Sequence, residues 1–587
     1  MKQRILTSVF VLLATVLLAT GLHAQFVVRR NGTSETQTAG QIYFSQKGSK
    51  DNWSLTTTEN AAYQSAWDIS NIAYITTQRA LENTDDLEAA LANYEAPAYV
   101  DDYRNKSQWN LRSKWNLANV HDPSVMLADD GYYYMYCTDA GFGDPQAGHG
   151  HFHCRRSQNL VDWEYLGATM PSAPSWVMPK LNEIRAAMGL SASTANANEY
   201  GYWAPCARRV SDGLYRMYYS IVVPGTINGG NTWSERAFIG MMETSDPADV
   251  SSWQDKGFVI TNYSDRELNF NVKPNDWNNC YYKFNAIDPT FIITPEGEHW
   301  LIYGSWHSGF AAVQLNPETG KPLNELGNPW GADQAANYGK LIYTRKAGNR
   351  WQASEGPEVV YRNGYYYLFM AYDALDVPYN TRVVRSEHID GPYVDMYGTQ
   401  AANGGESFPI LTHPYKFGND HGWVGISHCA VFDDGQDNWF YVSQQRYPTD
   451  FDSWVPNAIM MGGVRSIRWT DDGWPVVMPE RYGAVPQAPI TEADIVGTWQ
   501  HIDLGYSYGK QKGSSEMTFD ANHKITAGIW KGGTWSFDPE TNVLTANGVK
   551  CYLQRECDWE SSPRKATIVY SAHGNKKSYW GKKVEEQ

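Results

Sequence analysis

The sequence is poor in cysteine and has no excess of positive charge. Its seven cysteines are scattered over 587 residues without a Cys-x-x-Cys pair, so neither a disulfide framework nor a zinc ribbon is predicted. Cys551 and Cys557 could still pair in an oxidising compartment. The net charge of −16 argues against nucleic acid as a partner, because phosphate binding needs a basic surface.

Long apolar runs are also missing beyond the N-terminus, so no membrane span is expected. Residues 1–24 begin with positive charge, continue through an apolar stretch from Leu6 to Gly21 and end in the small residue Ala24. This pattern predicts a signal peptide that is removed in the mature protein. We therefore expect export, to the periplasm, the cell surface or the medium.

Aromatic residues are abundant instead, with 24 Trp and 39 Tyr. Core packing explains most of them, and only those near a site could stack on the apolar faces of sugars. The length predicts two to four domains, and a hydrophobic content of 42% is ample for their cores.

A β-hairpin unit recurs five times between residues 110 and 485. In its clearest copy an acid, Glu355, precedes a short apolar strand, an Asn363-Gly364 turn and an aromatic strand over residues 365–372. Further strands and polar turns follow each copy, giving four strands per repeat and almost no helix. A five-bladed β-propeller over residues 106–486 is predicted, since a β-sandwich would not need the same hairpin five times. The turn glycines are Gly131, Gly213, Gly297, Gly364 and Gly435.

The regions on either side of the repeats differ from them in composition. Residues 25–105 are rich in Thr, Ser, Asn and Gln and predict a small N-terminal module, with a helix over residues 84–94 and a linker from residue 95. Residues 490–587 contain short alternating strands separated by turns, which predict a small C-terminal β-barrel or sandwich. The fold class is thus all-β.

Three repeats place a carboxylate at the same position. Asp122, Asp288 and Glu355 each lie nine residues before a turn glycine, Ala204 holds this place in the second copy, and His428 lies near it in the fifth. The first strand of each propeller blade lines the central channel, so equivalent positions converge at one end of it. We therefore expect these carboxylates to form one site.

The chemistry of three close carboxylates points to glycoside hydrolysis. An acid at the start of a strand is usually a solvated surface group, but three at one repeat position are hard to explain in that way. Two carboxylates flanking a bond can serve as general acid and general base. A third can raise the pKa of the acid by repulsion between like charges.

The motifs around these acids resemble those of glycoside hydrolase family 43, a family of inverting five-bladed propellers. They are His-Asp-Pro-Ser at 121–124, Ile-Asp-Pro at 287–289 and Ser-Glu-Gly-Pro at 354–357. The resemblance implies that Asp122 is the general base, Glu355 the general acid and Asp288 the group that modulates its pKa and orients it. Inversion needs the two carboxyl groups roughly 6.5–9.5 Å apart.

Within that family, Asn-Ala-Ile-Asp-Pro at 285–289 and Tyr-Gly-Ser-Trp-His-Ser-Gly at 303–309 look most like the endo-1,5-α-L-arabinanases. The resemblance implies cleavage of internal α-1,5 bonds in arabinan, a plant polysaccharide, with His121, Asn285 and Ser305 contacting the substrate. The chain departs from the family at Cys206, where Asp is usual, at Ser354-Glu-Gly-Pro, and at 262–285, which looks like an extra loop.

Three further residues are candidates for binding. Trp203 and Trp306 could stack on sugar rings or pack in the core. His428 could be an ordinary polar residue, whereas the resemblance implies that it helps to hold calcium or another single metal ion in the channel. One nitrogen and several waters would differ from an all-oxygen calcium cage.

Two other functions stay open. An exo-acting α-L-arabinofuranosidase or β-xylosidase would use the same carboxylates and release monomers. A non-catalytic carbohydrate-binding propeller would bind without turnover, although three intact carboxylates argue against it. We expect a monomer that acts on a plant polysaccharide.

Overall fold

The computed structural model describes 15 stretches of the chain and divides it into two compact units, residues 1–90 and 91–587. The predicted signal peptide lies outside the described residues, and among those residues no helix is long and apolar enough to cross a membrane. The described stretches are 25–30, 36–39, 41–46, 53–59, 62–68, 72–78, 84–99, 106–139, 146–187, 189–224, 236–264, 282–329, 337–347, 352–448 and 460–584.

The first unit contains two small antiparallel sheets, in the strand orders β2-β1-β6 and β3-β4-β5. Its threonine-rich alternating sequence suits short strands, because β-branched residues favour extended backbone. The strands are β1 (Gln25–Arg30), β2 (Thr36–Ala39), β3 (Gln41–Gln46), β4 (Trp53–Glu59), β5 (Ala62–Asp68) and β6 (Ile72–Gln78). The predicted helix follows as α1 (Thr84–Ala92).

Five antiparallel sheets follow in chain order, and each begins with the strand that precedes a repeat turn. The first two sheets are β7 (Ser124–Leu127), β8 (Tyr133–Cys137), β9 (His151–Ser157) and β10 (Glu164–Met170), then β11 (Gly201–Ser211), β12 (Leu214–Val223), β13 (Arg236–Thr244) and β14 (Gln254–Thr261). A two-stranded ribbon comes next, β15 (Tyr263–Ser264) and β16 (Tyr282–Phe284).

The remaining three sheets complete the set. They are β17 (Thr290–Ile293), β18 (His299–Tyr303), β19 (Phe310–Leu315) and β20 (Lys340–Tyr343); β21 (Ser354–Arg362), β22 (Tyr365–Tyr372) and β23 (Asn380–Ser386); and, after the short strand β24 (Tyr415–Lys416), β25 (Val424–Asp433), β26 (Trp439–Arg446), β27 (Met461–Trp469) and β28 (Pro475–Val477).

The first strands of the five sheets close into a ring. β7 contacts β11, β11 contacts β17, β17 contacts β21, β21 contacts β25, and β25 returns to β7. This closure confirms the five-bladed propeller and places the starts of the five inner strands at one end of a shared channel.

Two details of the propeller differ from the prediction. The fourth blade has three strands rather than four, with isolated bridges beyond β23 from Arg385 to Val394 and from Arg382 to Ile410. Pro392 lies just before Val394 and has no N–H to give to a ladder. The helix α2 (Val177–Ala187) was also not predicted; it buries Val177, Leu181 and Ile184 against the second blade region. Short 3-10 helices occupy Trp109–Lys114, Ala197–Glu199, Val250–Ser252 and Ala401–Asn403.

The C-terminal domain is an eight-stranded antiparallel sheet that curls into a barrel. Its two end strands, β32 and β33, come together through a bridge between Lys524 and Thr534, which confirms the predicted barrel. It comprises α3 (Glu492–Ile495), β29 (Gly497–Asp503), β30 (Lys512–Gly513), β31 (Ser515–Phe519), β32 (Ile525–Ala527), β33 (Trp535–Asp538), β34 (Val543–Ala546), β35 (Val549–Asp558), β36 (Lys565–Gly574) and β37 (Lys577–Lys583).

Cys551 and Cys557 do not form a disulfide: both are free and buried in β35. Residues six apart on an extended strand are about 20 Å apart, too far for a bridge. The stretch 91–99 belongs to the second unit, where Tyr94 donates a hydrogen bond to the Gly483 carbonyl at 2.8 Å and Tyr99 packs on Trp559.

Most of the aromatic side chains serve the core. Tyr134, Tyr136 and Tyr219 are fully buried between the first and second blades, and Trp499 and Trp580 are fully buried in and against the barrel. Core packing therefore explains these aromatic residues, as predicted.

Candidate active site

The starts of the five inner strands share one unusual backbone conformation. Asp122, Ala204, Asp288, Gly356 and His428 have φ values of 44°, 41°, 54°, 59° and 52°. A left-handed backbone costs roughly 1–2 kcal/mol for a residue with a Cβ, so its appearance in every blade marks an equivalent position held by the surrounding structure.

This conformation corrects the alignment made on the turn glycines. Gly356, not Glu355, is the equivalent of Asp122 and Asp288, and His428 is a full equivalent rather than a near neighbour. The place of the glycine in the turn differs: it lies four residues after the last paired residue of the inner strand in the first and third blades but two residues after it in the fourth and fifth, so counting from the turn fails there. Glu355 lies one residue before the shared position.

The preceding blade holds the left-handed residue in three of the five cases. The Asp122 N–H donates to Gln444 Oε1 at 3.0 Å, and the Asp288 N–H donates to Ser220 Oγ at 3.1 Å. The Ala204 N–H donates to Thr138 Oγ1 at 2.7 Å. Each acceptor lies in or just after the second strand of the blade before it, so neighbouring blades fix the geometry of the site.

Asp122 is a buried, well-anchored carboxylate. Its Oδ1 lies 2.9 Å from Nδ1 of His428 and 3.3 Å from Nε2 of His121, and its Oδ2 accepts a hydrogen bond from Thr138 Oγ1 at 2.7 Å. Burial acts to raise the pKa of Asp122, but the two histidines and the hydrogen bonds outweigh it and hold that pKa below its usual range. Asp122 is therefore ionised at neutral pH.

The two histidines beside Asp122 differ in charge. Burial lowers the pKa of His121 to about 4, so His121 is neutral at pH 7. Burial also disfavours charge on His428, yet Asp122, Asp288 and Glu355 together raise the pKa of His428 to about 10. His428 is consequently the cation that compensates Asp122.

Asp288 lies beside the strand that carries Glu355. Its Oδ2 accepts a hydrogen bond from the backbone N–H of Gly356 at 3.1 Å. Burial, followed by repulsion from Glu355 and Asp122, raises the pKa of Asp288 to about 7 against the opposing effect of His428. Asp288 thus fixes the backbone beside Glu355.

Glu355 receives three hydrogen bonds from side chains of two blades. Ser305 Oγ at 3.0 Å and Trp306 Nε1 at 2.7 Å donate to Oε2, and the Tyr379 hydroxyl donates to Oε1 at 2.7 Å. An indole N–H can only donate, so Oε2 must be the accepting oxygen. A hydroxyl can donate or accept, so Oε1 is the oxygen that can carry a proton.

The other two predicted binding residues, Trp203 and Asn285, are partly or fully buried. Trp203 is half-buried and packs beside the core between the second and third blades. Asn285 is 1% exposed and accepts a hydrogen bond from Asn262 Nδ2 at 3.1 Å, which places it beneath the surface of the site. Most of the suspected extra loop lies outside the described residues.

Two residues at the site escaped the sequence analysis, Tyr379 and Arg446. Arg446 is 2% exposed and, among the described residues, its guanidinium nitrogens make no hydrogen bond. Burial lowers its pKa to about 10 against the attraction of Asp376, Tyr379 and Asp122. The polar run Ser443-Gln-Gln-Arg at the end of an aromatic strand was a signal that could have revealed it.

His428 has the geometry of a histidine that could bind a single ion. Donation from Nδ1 to a carboxylate is the usual arrangement of a metal-bound imidazole, and Nε2 would be the ligand atom once it loses its proton. In the described part of the chain, only one cluster offers three potential metal ligands, at Glu480, Asp558 and Glu560. Lys582 already forms ion pairs with all three. An ion at His428 would therefore have one protein ligand and several waters.

The propeller and the barrel each match a family model. Residues 117–475 match the model of glycosyl hydrolases family 43, and residues 479–581 match its C-terminal lipocalin-like domain. The chain belongs to glycosyl hydrolase family 43. It is therefore a glycosidase of that family, and its three carboxylates are the candidate catalytic groups.

Two relatives and one solved structure are similar to large parts of the chain. An extracellular endo-α-(1→5)-L-arabinanase of Thermotoga petrophila is 27% identical over 498 residues, covering 80% of this chain and 94% of the relative. An extracellular exo-α-(1→5)-L-arabinofuranosidase of Cellvibrio japonicus is 26% identical over 366 residues, covering 61% and 86%. The crystal structure of the Thermotoga petrophila RKU-1 endo-1,5-α-L-arabinanase superposes with a TM-score of 0.61 at 24% identity, covering 80% of this chain and 99% of that one.

Proposed function

We propose that the protein is an inverting glycosidase that cleaves internal α-1,5-L-arabinofuranosidic bonds of arabinan. The observation that carries the proposal is the convergence of Asp122, Asp288 and Glu355 at one end of the propeller channel. The endo-acting relative matched over 80% of the chain supports arabinan as the substrate.

Asp122 is assigned as the general base. It is ionised, anchored through both oxygens and held beside the cationic His428, so it can accept a proton from a water that attacks the sugar. The buried Arg446 adds a positive charge that is attracted to Asp122.

Glu355 is assigned as the general acid. Oε2 is fixed by Ser305 and Trp306, so a proton on Oε1 can pass to the oxygen of the leaving sugar. Asp288 keeps this group in place through the Gly356 N–H and supplies a second carboxyl group nearby. Water then adds from the Asp122 side, and the anomeric configuration inverts.

The test compares Asp122→Asn and Glu355→Gln with Glu296→Gln, a change of an exposed turn acid. We expect the first two to lower kcat on linear arabinan by about 10²–10⁴-fold while the protein stays folded, since each removes one proton-transfer group. The Glu296→Gln variant should match the unaltered enzyme. Full activity in either site variant would refute the assignment.

An exo-acting enzyme is the second candidate, because the Cellvibrio japonicus relative is an exo-arabinofuranosidase. Chromatography of early products from linear arabinan separates the two: oligomers support internal cleavage, whereas monomers or short units of one size support exo action. A β-xylosidase would instead cleave xylosides and leave arabinan intact.

We also propose that His428 holds one hydrated ion, calcium or another metal. Binding would require His428 to release its Nε2 proton, and the ion would then supply positive charge beside Asp122 and Asp288 in place of that proton. Elemental analysis should find about one ion per chain in the unaltered protein and none in His428→Ala. Equal metal content in both would contradict the site.

The export of the chain remains a proposal supported by the predicted signal peptide and by relatives described as extracellular. After expression with the N-terminus intact, mass spectrometry of the exported protein should give Gln25 as its first residue. Retention in the cytoplasm with residues 1–24 intact would contradict it.

A further inference from the structure

A loop of the C-terminal barrel leaves its own domain and lies on the propeller. It spans residues 504–514, between β29 and β31, and its strand β30 pairs in parallel with β24. Gln511 Nε2 donates to the carbonyls of Tyr415 and His421, both at 2.8 Å, and the Lys512 N–H donates to the Pro414 carbonyl at 2.8 Å. These contacts fix the loop to the segment between the fourth and fifth blades.

The first half of this loop reaches the catalytic end of the fourth blade. The Tyr506 hydroxyl donates to Asp373 Oδ2 at 2.8 Å, and the Asp373 N–H donates to the Ala353 carbonyl at 2.8 Å. Ala353 lies two residues before Glu355. Asp373 also begins the turn that ends at Tyr379, the donor to Glu355 Oε1. Tyr506 is therefore close to the strand and the turn that hold the candidate acid.

Asp373 makes this junction rigid. It is 3% exposed and accepts hydrogen bonds from Arg345 Nη1 at 2.8 Å and from Asn380 Nδ2 at 3.0 Å as well as from Tyr506. The fully buried Arg382 guanidinium lies 5.2 Å from the centre of the Tyr506 ring. The Tyr506 ring is thus held in one orientation by groups beneath it.

Exposed apolar side chains are concentrated at this junction. Tyr506 is 37% exposed, Tyr508 64% and Leu375, in the turn after Asp373, 39%. Among the described residues only four other large apolar side chains are comparably exposed, so three of seven lie here; the others are Leu323, Tyr361, Tyr397 and Ile529. Exposed tyrosines near the candidate active site are suited to stacking on sugar rings, since their faces are apolar and their rims polar.

We propose that Tyr506 and Tyr508 form a distal subsite that stacks on furanose rings of the arabinan chain beyond the cleaved bond. This inference rests on the proposed function, because it takes the polysaccharide at Glu355 as the occupant. Such a subsite would make the C-terminal domain part of the substrate cleft. Long arabinan chains would then be better substrates than short ones.

The experiment measures kcat and KM on linear arabinan and on arabinotriose for Tyr508→Ala, Tyr506→Ala and Tyr506→Phe. Tyr361→Ala is the matched control: this tyrosine is also 37% exposed but lies at the opposite end of the fourth blade, beside the turn at Gly364. Tm for each variant checks that it is folded.

We expect Tyr508→Ala and Tyr506→Ala to raise KM on linear arabinan about fivefold to tenfold each, with kcat/KM on arabinotriose within twofold of the unaltered enzyme. Tyr506→Phe keeps the ring and should raise KM on the polymer much less. Tyr361→Ala should leave kcat and KM unchanged on both substrates. An unchanged KM on the polymer in both alanine variants, or equal losses of kcat/KM on polymer and trisaccharide, would overturn this inference and leave the proposed function standing. If the unaltered enzyme cleaves no arabinan at all, the proposed function fails, and the inference fails with it.

Discussion

Glu355 illustrates how much of the site depends on single contacts. Its three donors come from the loop after β18 and from the turn after β22, so two blades determine where its oxygens lie. Tyr379 is the only one of the three on Oε1, the oxygen assigned to carry the proton. Its hydroxyl can accept from the protonated acid and donate to the carboxylate, which suits a group that changes charge during turnover.

Tyr379→Phe should therefore lower kcat on arabinan about tenfold with little change in KM. One hydrogen bond to a charged group is worth about 1.5 kcal/mol, which corresponds to roughly tenfold in rate. Steady-state kinetics on linear arabinan measure this effect, and Tyr361→Phe on the same blade serves as the control. A rise in KM at constant kcat would instead assign Tyr379 to substrate binding.

At the scale of the element, the left-handed residue at the start of each inner strand is the device that shapes the channel end. It turns the chain where the strand begins, so a side chain there enters the channel rather than the sheet. In the fourth blade this residue is Gly356, whose added Cβ would meet Cγ of His428 at 2.9 Å. The glycine thus makes room for the histidine beside Asp122.

Gly356→Ala should lower kcat more than tenfold, because His428 must move away from Asp122. Gly364→Ala is the matched control: its φ is 89°, it lies in the turn of the same hairpin, and a Cβ there would meet nothing within 4 Å. Both variants should lose roughly 1–2 kcal/mol of stability from the left-handed backbone. Thermal unfolding and kinetics separate the two effects, and equal activity in both variants would contradict a special role for Gly356.

At the scale of the whole molecule, buried polar groups join blades and domains. In the channel, Glu358 of β21 accepts hydrogen bonds from Arg208 of β11, Thr290 of β17 and the Val431 N–H of β25, at 2.6, 2.9 and 3.2 Å. Between the propeller and the barrel, Ser466 Oγ of β27 donates to Glu556 Oε1 of β35 at 2.5 Å. Burial raises the pKa of Glu556 to about 8, against smaller opposing effects of Ser466 and Gly483.

This raised pKa predicts a loss of stability with rising pH. Glu556 binds its proton more tightly in the folded protein than in the unfolded chain, where its pKa is the ordinary 4.5. Its contribution is therefore complete below pH 4.5 and is lost as the pH rises to about 8, by at most about 1.4 kcal/mol per pH unit.

Glu556→Gln should flatten that dependence, because the amide does not ionise. Tm measured from pH 5 to pH 9 should fall less in the variant than in the unaltered protein, and the difference isolates Glu556 from other titrating groups. Parallel curves would show that Glu556 does not titrate in this range.

The sequence by itself determined the architecture and the identity of the three carboxylates. Hairpin turns, aromatic strands and acids at fixed distances from turn glycines are local patterns. Such patterns can be recognised in a sequence without knowing which distant residues contact each other. The five copies then required one ring, and the ring required that Asp122, Asp288 and the segment at Glu355 meet.

Only the tertiary structure decided how these groups are positioned. The equivalence of Gly356 and His428 with Asp122 is hidden from a count of residues, because the glycine takes different places in the hairpin turns of different blades. Tyr379 reaches the site from a turn, Arg446 from the end of a strand in another blade, and Tyr506 reaches the neighbouring turn from another domain. Burial disfavours charge on both His121 and His428, and nearby carboxylates outweigh it only at His428. Contacts between segments distant in sequence leave no local pattern. The contacts that support the carboxylates therefore could not be predicted from the sequence.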